Sequence, residues 1–599
     1  MPQHLTGALE RSWLALPESL RQRLAVASTG WRSMALTGGE CLRLARGAET
    51  AQERARLLAL AADILLWAFG ENPLSGPFAA EILSAADLPL PEAARSSLAA
   101  VAGGWRAPQG NAGGLAYFER LAQKRDTHKL ADFLALQVQK DPAGLFWRDK
   151  ALGLALYLGE DELAHSLEAA ALEGLETLPG LAPAARVLRA QAAFLRGDAD
   201  TCLAGLTAEL PLLQDVFGPA FAAARAGLTL LRQGEDAAAL PLLRNCLEAA
   251  PWQAGLARVA ADAASGLRHR RTPPPGPVLI MLYTWNKAGD LDATLESLFA
   301  SDLATKGGGR AQVLVLNNGS ADETAQVLAA WAGRVGGALQ RLDLPVNIGA
   351  PAARNWLAAT PQARAAESLV FLDDDVSLPP DWLQRLGAAL EAHPDAGVVG
   401  CKVADHQAPH LLQNVAGHLA LLPPASRPDA SPDIGSDASP DAASPLDLQS
   451  LTPNPFRLDD AHLQGPDWGL FDFVSRCDSV TGCCHLFRRQ ALEAPFAQGG
   501  GFSLALGPSQ YDDLERDLRM LAGGRVAVCQ GHLRVRHRKR SGLASQEGGE
   551  GANAQGNRYK MQTLHAREEI AGFIAAQAQR LGEAAAQAFA LLDRTGDPS

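Results

Sequence analysis

A proline cluster divides this 599-residue chain into two stretches with different hydrophobic patterns. The cluster is Thr272-Pro-Pro-Pro-Gly-Pro277, and no helix continues through it, because proline lacks an amide hydrogen and clashes with the preceding turn. The sequence before it is rich in alanine and leucine, which are strong helix formers. Beyond it, apolar runs of strand length alternate with helical patterns. The sequence therefore predicts a helical part, a stiff linker over residues 271–277 and then an α/β domain.

The helical part is predicted to contain an internal repeat. Gly159, Gly197 and Gly234 recur at close to the period of helix-turn-helix repeats, each where one helix would end and an acidic residue would start the next. Residues 146–270 thus resemble tetratricopeptide-type repeats, and a plain helical bundle is the alternative. Residues 1–145 are predicted to be helical without any sign of chemistry. Because helical repeats stack into concave surfaces, we expect this part to bind a protein partner or a second copy of the chain.

Charge and cysteine usage exclude several classes of protein. The formal net charge of −12 argues against a non-specific nucleic-acid binder. Eight cysteines without CxxC spacing predict neither a zinc site nor a disulfide framework, which favours a reducing compartment. The N-terminus lacks the pattern of a signal peptide, and no apolar run reaches the ~18 residues of a transmembrane helix. We expect a cytoplasmic protein that is at most peripheral to the inner membrane.

The second part is predicted to be a Rossmann-like domain over residues 278–545, with a mostly parallel mixed sheet and helices on both faces. A stretch rich in proline, serine and aspartate, at about 422–452, cannot build a core and is expected to be a disordered insertion. Ser320 and Glu323 are predicted to form a capping box for the helix after the second strand. Residues 546–599 are predicted to be a C-terminal helical tail, with a helix over roughly 562–592.

Three consecutive carboxylates end the predicted strand at residues 368–375. Residues two apart on a strand point the same way, so Asp373 and Asp375 are expected to project together. Two like charges held so close favour a bound cation, and oxygen ligands select Mg²⁺ or Mn²⁺. The alternative is an acidic, solvated turn in which an aspartate caps the next helix. The spacing leaves the role of Asp374 open.

Polar residues also end two other predicted strands. Thr284 and Asn286 close the first strand, and Asn317 and Asn318 close the second. Ligands of open α/β sheets bind beyond the carboxyl ends of the strands, so these residues are expected to share one site with the aspartates. No GxGxxG motif follows the first strand, which counts against a dinucleotide-binding oxidoreductase.

Taken together, these segments resemble the family 2 glycosyltransferases, which have the GT-A fold. The resemblance covers about residues 276–540 and depends on the order and spacing of Tyr283–Asn286, Val315–Asp322, Asn347–Asn355, Phe371–Asp375, Thr481–Arg489 and Tyr511–Arg519. It implies a metal-dependent, inverting glycosyltransferase that moves a sugar from a nucleotide-sugar donor, a UDP-sugar by expectation, to an acceptor hydroxyl. The implied cofactor is Mn²⁺ or Mg²⁺.

The resemblance also implies roles for single residues. Around the donor it places Thr284 and Asn317 in contact with the base and Asn318 next to them, Arg354 near the nucleotide sugar, Asp373 at ribose or phosphate, and Gly482 where the acceptor-side strand passes the sugar. Asn286 and Asp374 are also expected to bind substrate, with Asp374 as the ambiguous middle member of the three aspartates. The family usually has an aspartate where this chain has Asn317. The implied metal ligands are Asp375, Asp373 and His537; a lone histidine such as His537 is more often structural.

The segment Gln510–Glu515 resembles the paired acids that open a helix in this family. Asp513 is expected to be the general base that takes the proton of the acceptor hydroxyl, with Asp512 as the second choice. Glu515 is expected to help to bind the acceptor. A carboxylate at a helix N-terminus is stabilised as the anion, as a base requires, and ordinary helix capping is the alternative.

The helical repeats favour a protein acceptor, such as a bacterial surface or flagellar protein. A polysaccharide or lipid-linked glycan acceptor is the alternative within the enzyme class. A non-catalytic scaffold with a vestigial transferase domain is the alternative outside it.

Overall fold

The computed structural model describes residues 7–26, 30–108, 114–159, 162–422, 456–458, 465–497, 501–539 and 550–595. Apart from residue 422, the insertion predicted at about 422–452 lies outside the described residues. Among the described helices, none is both long enough and apolar enough to cross a bilayer.

The described residues before the proline cluster form α-helices joined by turns and short 3₁₀ segments, which confirms an all-helical first part. The α-helices are α1 (Ala8–Leu14), α2 (Glu18–Val26), α3 (Trp31–Arg46), α4 (Ala51–Glu71), α5 (Gly76–Ser84), α6 (Glu92–Gly104), α7 (Leu115–Gln123), α8 (Thr127–Lys140), α9 (Leu145–Leu158), α10 (Glu162–Leu172), α11 (Ala182–Arg196), α12 (Ala199–Thr207), α13 (Leu210–Phe217), α14 (Phe221–Gln233), α15 (Asp236–Ala249) and α16 (Ala254–Ala264). Gly197 and Gly234 end α11 and α14 in the left-handed conformation, with φ of +79° and +83°. Glycine adopts this conformation without the steric cost of a Cβ, which is why the helices stop there.

The second part is built on a mixed sheet. Its strands are β1 (Val278–Thr284), β2 (Gln312–Asn318), β3 (Leu339–Leu344), β4 (Ser368–Leu372), β5 (Val376–Ser377), β6 (Ala396–Asp405), β7 (Leu411–Asn414), β10 (Gly465–Pro466), β11 (Val474–Cys477), β12 (Cys484–Arg488) and β13 (Val526–His537), and β8 (Leu419–Leu421) pairs separately with β9 (Phe456–Leu458). The main order is β10-β7-β6-β12-β4-β1-β2-β3. Strands β4, β1, β2 and β3 are parallel to one another. Strand β12 lies between β4 and β6 and is antiparallel to both. The predicted mixed α/β architecture is therefore confirmed.

Helices cover both faces of this sheet. They are α17 (Ala288–Ala300), α18 (Thr324–Val335), α19 (Ala350–Ala358), α20 (Pro361–Ala365), α21 (Trp382–Ala392), α22 (Arg489–Ala497) and α23 (Asp512–Ala522), followed by α24 (Glu550–Leu564) and α25 (Arg567–Thr595). Strand β1 shows the arrangement, since Ile280 packs into the core with α17 whereas Met281 packs into the core with α19. A strand buried on both faces needs apolar residues at every position, which explains its continuous apolar run.

Two local predictions differ in detail from the structure. The predicted capping box does not form, because Glu323 precedes α18 without a capping hydrogen bond and the Ser320 hydroxyl accepts the Asn286 N–H instead. The Asp322 carboxylate accepts the Thr324 N–H at the start of that helix. The helix predicted over 562–592 is two helices, α24 and α25, which are separated at His565.

The helical part and the sheet pack directly on each other. Arg258 of α16 donates to the Ser475 hydroxyl of β11 at 2.9 Å, and Asp262 accepts the Val474 N–H at 2.9 Å. The C-terminal helix α25 returns to the first helix, where Phe589 stacks on Trp13 with ring centroids 5.4 Å apart. Buried side chains from both ends of the chain therefore share one core.

Candidate active site

The parallel strands β4, β1 and β2 end at the same edge of the sheet. Thr284 pairs in register with Asn317, and Leu372, the residue before Asp373, pairs with Leu282. The polar residues that follow these strands are therefore neighbours, as the sequence predicted.

Asp373, Asp375 and His537 form a cluster of possible metal ligands. One ligand atom of each lies within 4.8 Å of the others. His537 ends β13 and pairs with Val376 of β5, which places its Nε2 atom 3.1 Å from Asp375 Oδ1. The Asp373 Oδ1 atom is buried and accepts no hydrogen bond from the described residues. Two carboxylates and one imidazole are ligands that Mn²⁺ or Mg²⁺ accepts, so the residues fit a divalent cation.

A second interaction orients the histidine. His537 Nδ1 lies 2.9 Å from Oε1 of Gln413 on β7. Hydrogen bonding at one ring nitrogen sets the tautomer and leaves the other nitrogen for a ligand role, which is how metal-binding histidines are usually held.

The two outer aspartates have different proton affinities. Burial raises the pKa of Asp373 to about 6, against the opposing charge of Arg354. Burial alone would also raise the pKa of Asp375, but His537 and Lys287 outweigh it and lower that pKa below its usual range. Asp375 is therefore ionised at neutral pH, as a metal ligand must be.

Lys287 is a site residue that the sequence reasoning missed. Its Nζ atom lies 2.8 Å from Asp375 Oδ2 and 3.1 Å from Asp374 Oδ1. Asp374, which the sequence left without a clear role, is therefore the partner of this ammonium. Lys287 directly follows Asn286 at the end of β1, and that position was the only signal that the sequence offered.

The paired acids lie at the N-terminus of α23, across from the aspartate cluster. Arg354 joins the two groups, because its Nη1 atom lies 2.5 Å from Asp512 Oδ2 and its Nη2 atom lies 3.5 Å from Asp373 Oδ1. Asp513 accepts the Gly482 N–H at 2.8 Å and is more exposed than Asp512, which is 2% exposed. Arg354 therefore links the metal cluster to the helix N-terminus.

Gly482 and Glu515 lie beside the paired acids. A Cβ atom on Gly482 would lie 2.8 Å from Arg354 Nη2 and 3.1 Å from Asp513 Oδ2, so a side chain there would displace the charged groups. Glu515 is buried and pairs with Arg519 at 2.8 Å.

Asn317 and Asn318, at the end of β2, hold the loops that follow β2 and β3. The Asn317 amide donates to Asp343 and its oxygen accepts the Ser320 N–H, each at 3.0 Å. Asn318 bridges in the same way to the loop after β3, where it donates to Asn347 and accepts the Ile348 N–H.

Two other residues that were predicted to bind the donor, Thr284 and Asn286, lie at the end of β1. Thr284 is fully buried beside Asp374. Asn286 accepts the Ala321 N–H and adopts a φ of +52°, a conformation that is uncommon for a residue other than glycine. Trp285, between them, is 50% exposed and was not singled out from the sequence.

Residues 279–421 match the model of the family described as glycosyl transferase family 2. This match agrees with the family resemblance over that segment and identifies a glycosyltransferase domain there. No curated protein matches the chain.

Solved structures similar to this chain include GalNAc-T7 with UDP, GalNAc and Mn²⁺ (14% identity, TM-score 0.30, covering 45% of this chain and 44% of that one). They also include the mannosyltransferase PcManGT from Pyrobaculum calidifontis with GDP-Man and Mn²⁺ (16% identity, TM-score 0.28, covering 56% of this chain and 85% of that one). The match thus spans less than half of GalNAc-T7.

Proposed function

We propose that this protein transfers a sugar from a nucleotide-sugar donor, a UDP-sugar, to an acceptor hydroxyl with inversion at the anomeric carbon. The observation that carries the proposal is the shared contact of Asp373 and Asp512 with Arg354, because it brings a cation site and a pair of acids close together. Transfer needs both, one to stabilise the leaving diphosphate and one to take the proton.

On the donor side, Asp373, Asp375 and His537 would hold a divalent cation, which would stabilise the negative charge of the diphosphate as a Lewis acid. Gln413 keeps the His537 ring oriented, and Lys287 holds the second oxygen of Asp375. The Gln413 contact preorganises His537 before the donor arrives, whereas the ammonium of Lys287 keeps a positive charge beside Asp375 that opposes the cation.

At the nucleotide end, we assign the base to the sheet edge where Thr284 and Asn317 end their strands, with the exposed ring of Trp285 stacking on it. Every nucleobase offers a π-face to an aromatic side chain, which makes such stacking favourable. Asn286 and Asn318 would fix the position of this edge of the site through their hydrogen bonds to the loops after β2 and β3.

On the acceptor side, Asp513 is the proposed general base. The acceptor oxygen bonds to the anomeric carbon as the bond from that carbon to the diphosphate breaks, the hydroxyl proton moves to Asp513, and the nucleoside diphosphate leaves. This single displacement inverts the configuration. Asp512 is nearly fully buried and one of its oxygens is occupied by Arg354, so it is less accessible to an incoming hydroxyl than Asp513.

We further propose that the acceptor is a protein. The support is the helical part, which resembles protein-binding repeats and packs directly against the sheet through Arg258 and Asp262. A cytoplasmic location belongs to the same proposal, and the eight cysteines, all free and buried, favour it.

The test is release of nucleoside diphosphate from a panel of nucleotide sugars by the full-length protein, with and without Mn²⁺. We expect Mn²⁺-dependent turnover of one UDP-sugar, which Asp375→Ala abolishes. An absence of turnover with every donor, together with an absence of metal-dependent nucleotide binding, would contradict the proposal.

A further inference from the structure

The β6–β7 loop, residues 406–410, begins and ends beside the candidate metal ligand His537. Asp405, the last residue of β6, lies opposite His537 in the parallel pairing of β6 with β13. The next residue, His406, donates its backbone N–H to the His537 carbonyl at 3.1 Å. After the loop, Gln413 of β7 holds the His537 ring at Nδ1 and donates its Nε2 to the same carbonyl at 3.3 Å. Both the backbone and the ring of His537 are therefore held by the residues that flank this loop.

The middle of the β6–β7 loop contacts the end of helix α9 in the helical part. His410 Nε2 lies 2.8 Å from the carbonyl oxygen of Leu156, in the last turn of α9. Carbonyl groups in the last turn of a helix have no partner within the helix, so the imidazole caps α9. Gly159 ends α9 with φ of +88° and ψ of −130°, and a Cβ atom there would lie 2.3 Å from the Gln407 carbonyl oxygen. A glycine at this position thus permits the close approach of the helix to the loop.

A second contact attaches the loop to helix α14. The His410 carbonyl accepts the Asp467 N–H at 2.8 Å. The Asp467 carboxylate lies 2.9 Å from Lys402 of β6 and 3.6 Å from Arg232 of α14, and both Asp467 and Lys402 are buried. Polar groups that are buried and hydrogen-bonded make such an attachment rigid. Two helices of the helical part therefore fix the loop that holds His537.

We propose that the helical part positions the metal ligand His537 through the β6–β7 loop, with His410 as the positioning residue. The affinity for the divalent cation then depends on contacts made outside the sheet domain. This inference rests on the proposed function, because it takes Asp373, Asp375 and His537 as the metal ligands. It gives the helical part a second role, as a component that holds the metal site in shape.

Two substitutions of His410 test the contact with α9. Loss of a group that directly orients a metal ligand lowers metal affinity about 10- to 100-fold. His410 acts one contact further away, so His410→Ala should weaken Mn²⁺ binding about threefold to tenfold in calorimetric titration of the full-length protein. His410→Gln should bind Mn²⁺ nearly as the wild-type protein does, because an amide N–H can still donate to the Leu156 carbonyl.

Gly159→Ala tests the same contact from the side of the helix. Its methyl group would push on the Gln407 carbonyl, and we expect a similar loss of Mn²⁺ affinity. Gly336→Ala is the matched control. Gly336 ends α18 with φ of +59° and ψ of −139°, so the backbone strain is comparable, yet a Cβ atom there meets nothing within 4 Å. Its Mn²⁺ affinity should equal that of the wild-type protein.

Two further measurements separate positioning from a general loss of structure. In the metal-free protein, the amides of residues 406–413 should exchange hydrogen faster in His410→Ala than in His410→Gln, because the loop has lost its attachment to α9. At saturating Mn²⁺, kcat should return to within about twofold of the wild-type value in His410→Ala, because all three proposed ligands are still present.

Three results would overturn the inference and leave glycosyl transfer intact. These are wild-type Mn²⁺ affinity in both His410→Ala and Gly159→Ala, equal losses of affinity in His410→Ala and His410→Gln, and an equal loss in Gly336→Ala. If Gly159→Ala does not fold, the two His410 variants decide. A wild-type protein that neither binds Mn²⁺ nor turns over any donor would refute the proposed function, and this inference with it.

Discussion

The Nη1 atom of Arg354 lies 2.5 Å from Oδ2 of Asp512, and both side chains are almost fully buried. Removal of one member of a buried ion pair leaves the other charge uncompensated, which costs about 3–5 kcal/mol. Arg354→Met should therefore lower the free energy of unfolding by about that amount, as measured by urea denaturation. The double variant Arg354→Met with Asp512→Leu should recover part of the loss, because no unpaired carboxylate remains. Strictly additive losses would show that the two side chains do not interact.

Lys287 should compete with the divalent cation. Its ammonium contacts Asp375, the best-ionised candidate ligand, and it repels any nearby positive charge. Lys287→Met should therefore bind Mn²⁺ about tenfold more tightly in calorimetric titration, a change of about 1.4 kcal/mol. Lys287→Arg, which keeps the charge, is the control. Weaker binding by Lys287→Met would mean that the lysine mainly orients Asp375.

Asp513 should affect chemistry and leave metal binding unchanged. Loss of a general base typically lowers the rate about 10²- to 10⁴-fold. Asp513→Asn should reduce kcat for transfer in that range while its amide oxygen still accepts the Gly482 N–H and Mn²⁺ affinity stays constant. If Asp512→Asn lowers kcat more than Asp513→Asn does, without a loss of stability, the assignment of the base is reversed.

Asp478 should make stability depend on pH. Burial raises its pKa to about 7, from about 3.8 for an accessible carboxyl. Between these values the folded state holds a proton that the unfolded state releases, so stability decreases as the pH rises from about 4 to 7. The accumulated loss is up to about 4 kcal/mol.

Asp478→Asn should remove that pH dependence. The substitution keeps an acceptor for the Leu419 N–H, so it should raise the free energy of unfolding at pH 8 and have little effect at pH 4. Equal effects at both pH values, measured by urea denaturation, would contradict a protonated Asp478 in the folded state.

The helical part and the sheet should unfold together. Asp467 is buried beside Lys402 of β6 at 2.9 Å and lies 3.6 Å from Arg232 of α14, so one carboxylate links the two parts. Asp467→Ala should destabilise the protein by about 3–5 kcal/mol and still give one calorimetric transition. Two separate transitions in the wild-type protein would show that the parts fold independently. Deletion of residues 1–270 is expected to expose this interface and prevent folding. A loss of transfer in that variant would therefore not show that the helical part selects the acceptor.

The sequence predicted the features of the site that depend on local pattern. A continuous apolar run that ends in carboxylates indicated a buried strand, and parallel strands end at one edge, so the grouping of Thr284, Asn317 and Asp373 followed. His537 was a weaker prediction, because its approach to Asp375 depends on how β13 pairs with β5.

Contacts between charged residues distant in sequence could not be predicted. Arg354 and Asp512 are 158 residues apart, and Lys287 reaches Asp375 across 88. Neither pair leaves a periodic pattern in the sequence, because the distance between its two residues is set by how whole helices and strands pack.

The most direct test of this account is a calorimetric titration of the full-length protein with Mn²⁺, compared with Asp375→Asn and His537→Gln. The account predicts one Mn²⁺ per chain in the wild-type protein, an affinity at least tenfold weaker in His537→Gln, and no detectable binding in Asp375→Asn. Wild-type affinity in both variants would show that the cluster of Asp373, Asp375 and His537 is not the metal site and would contradict the account.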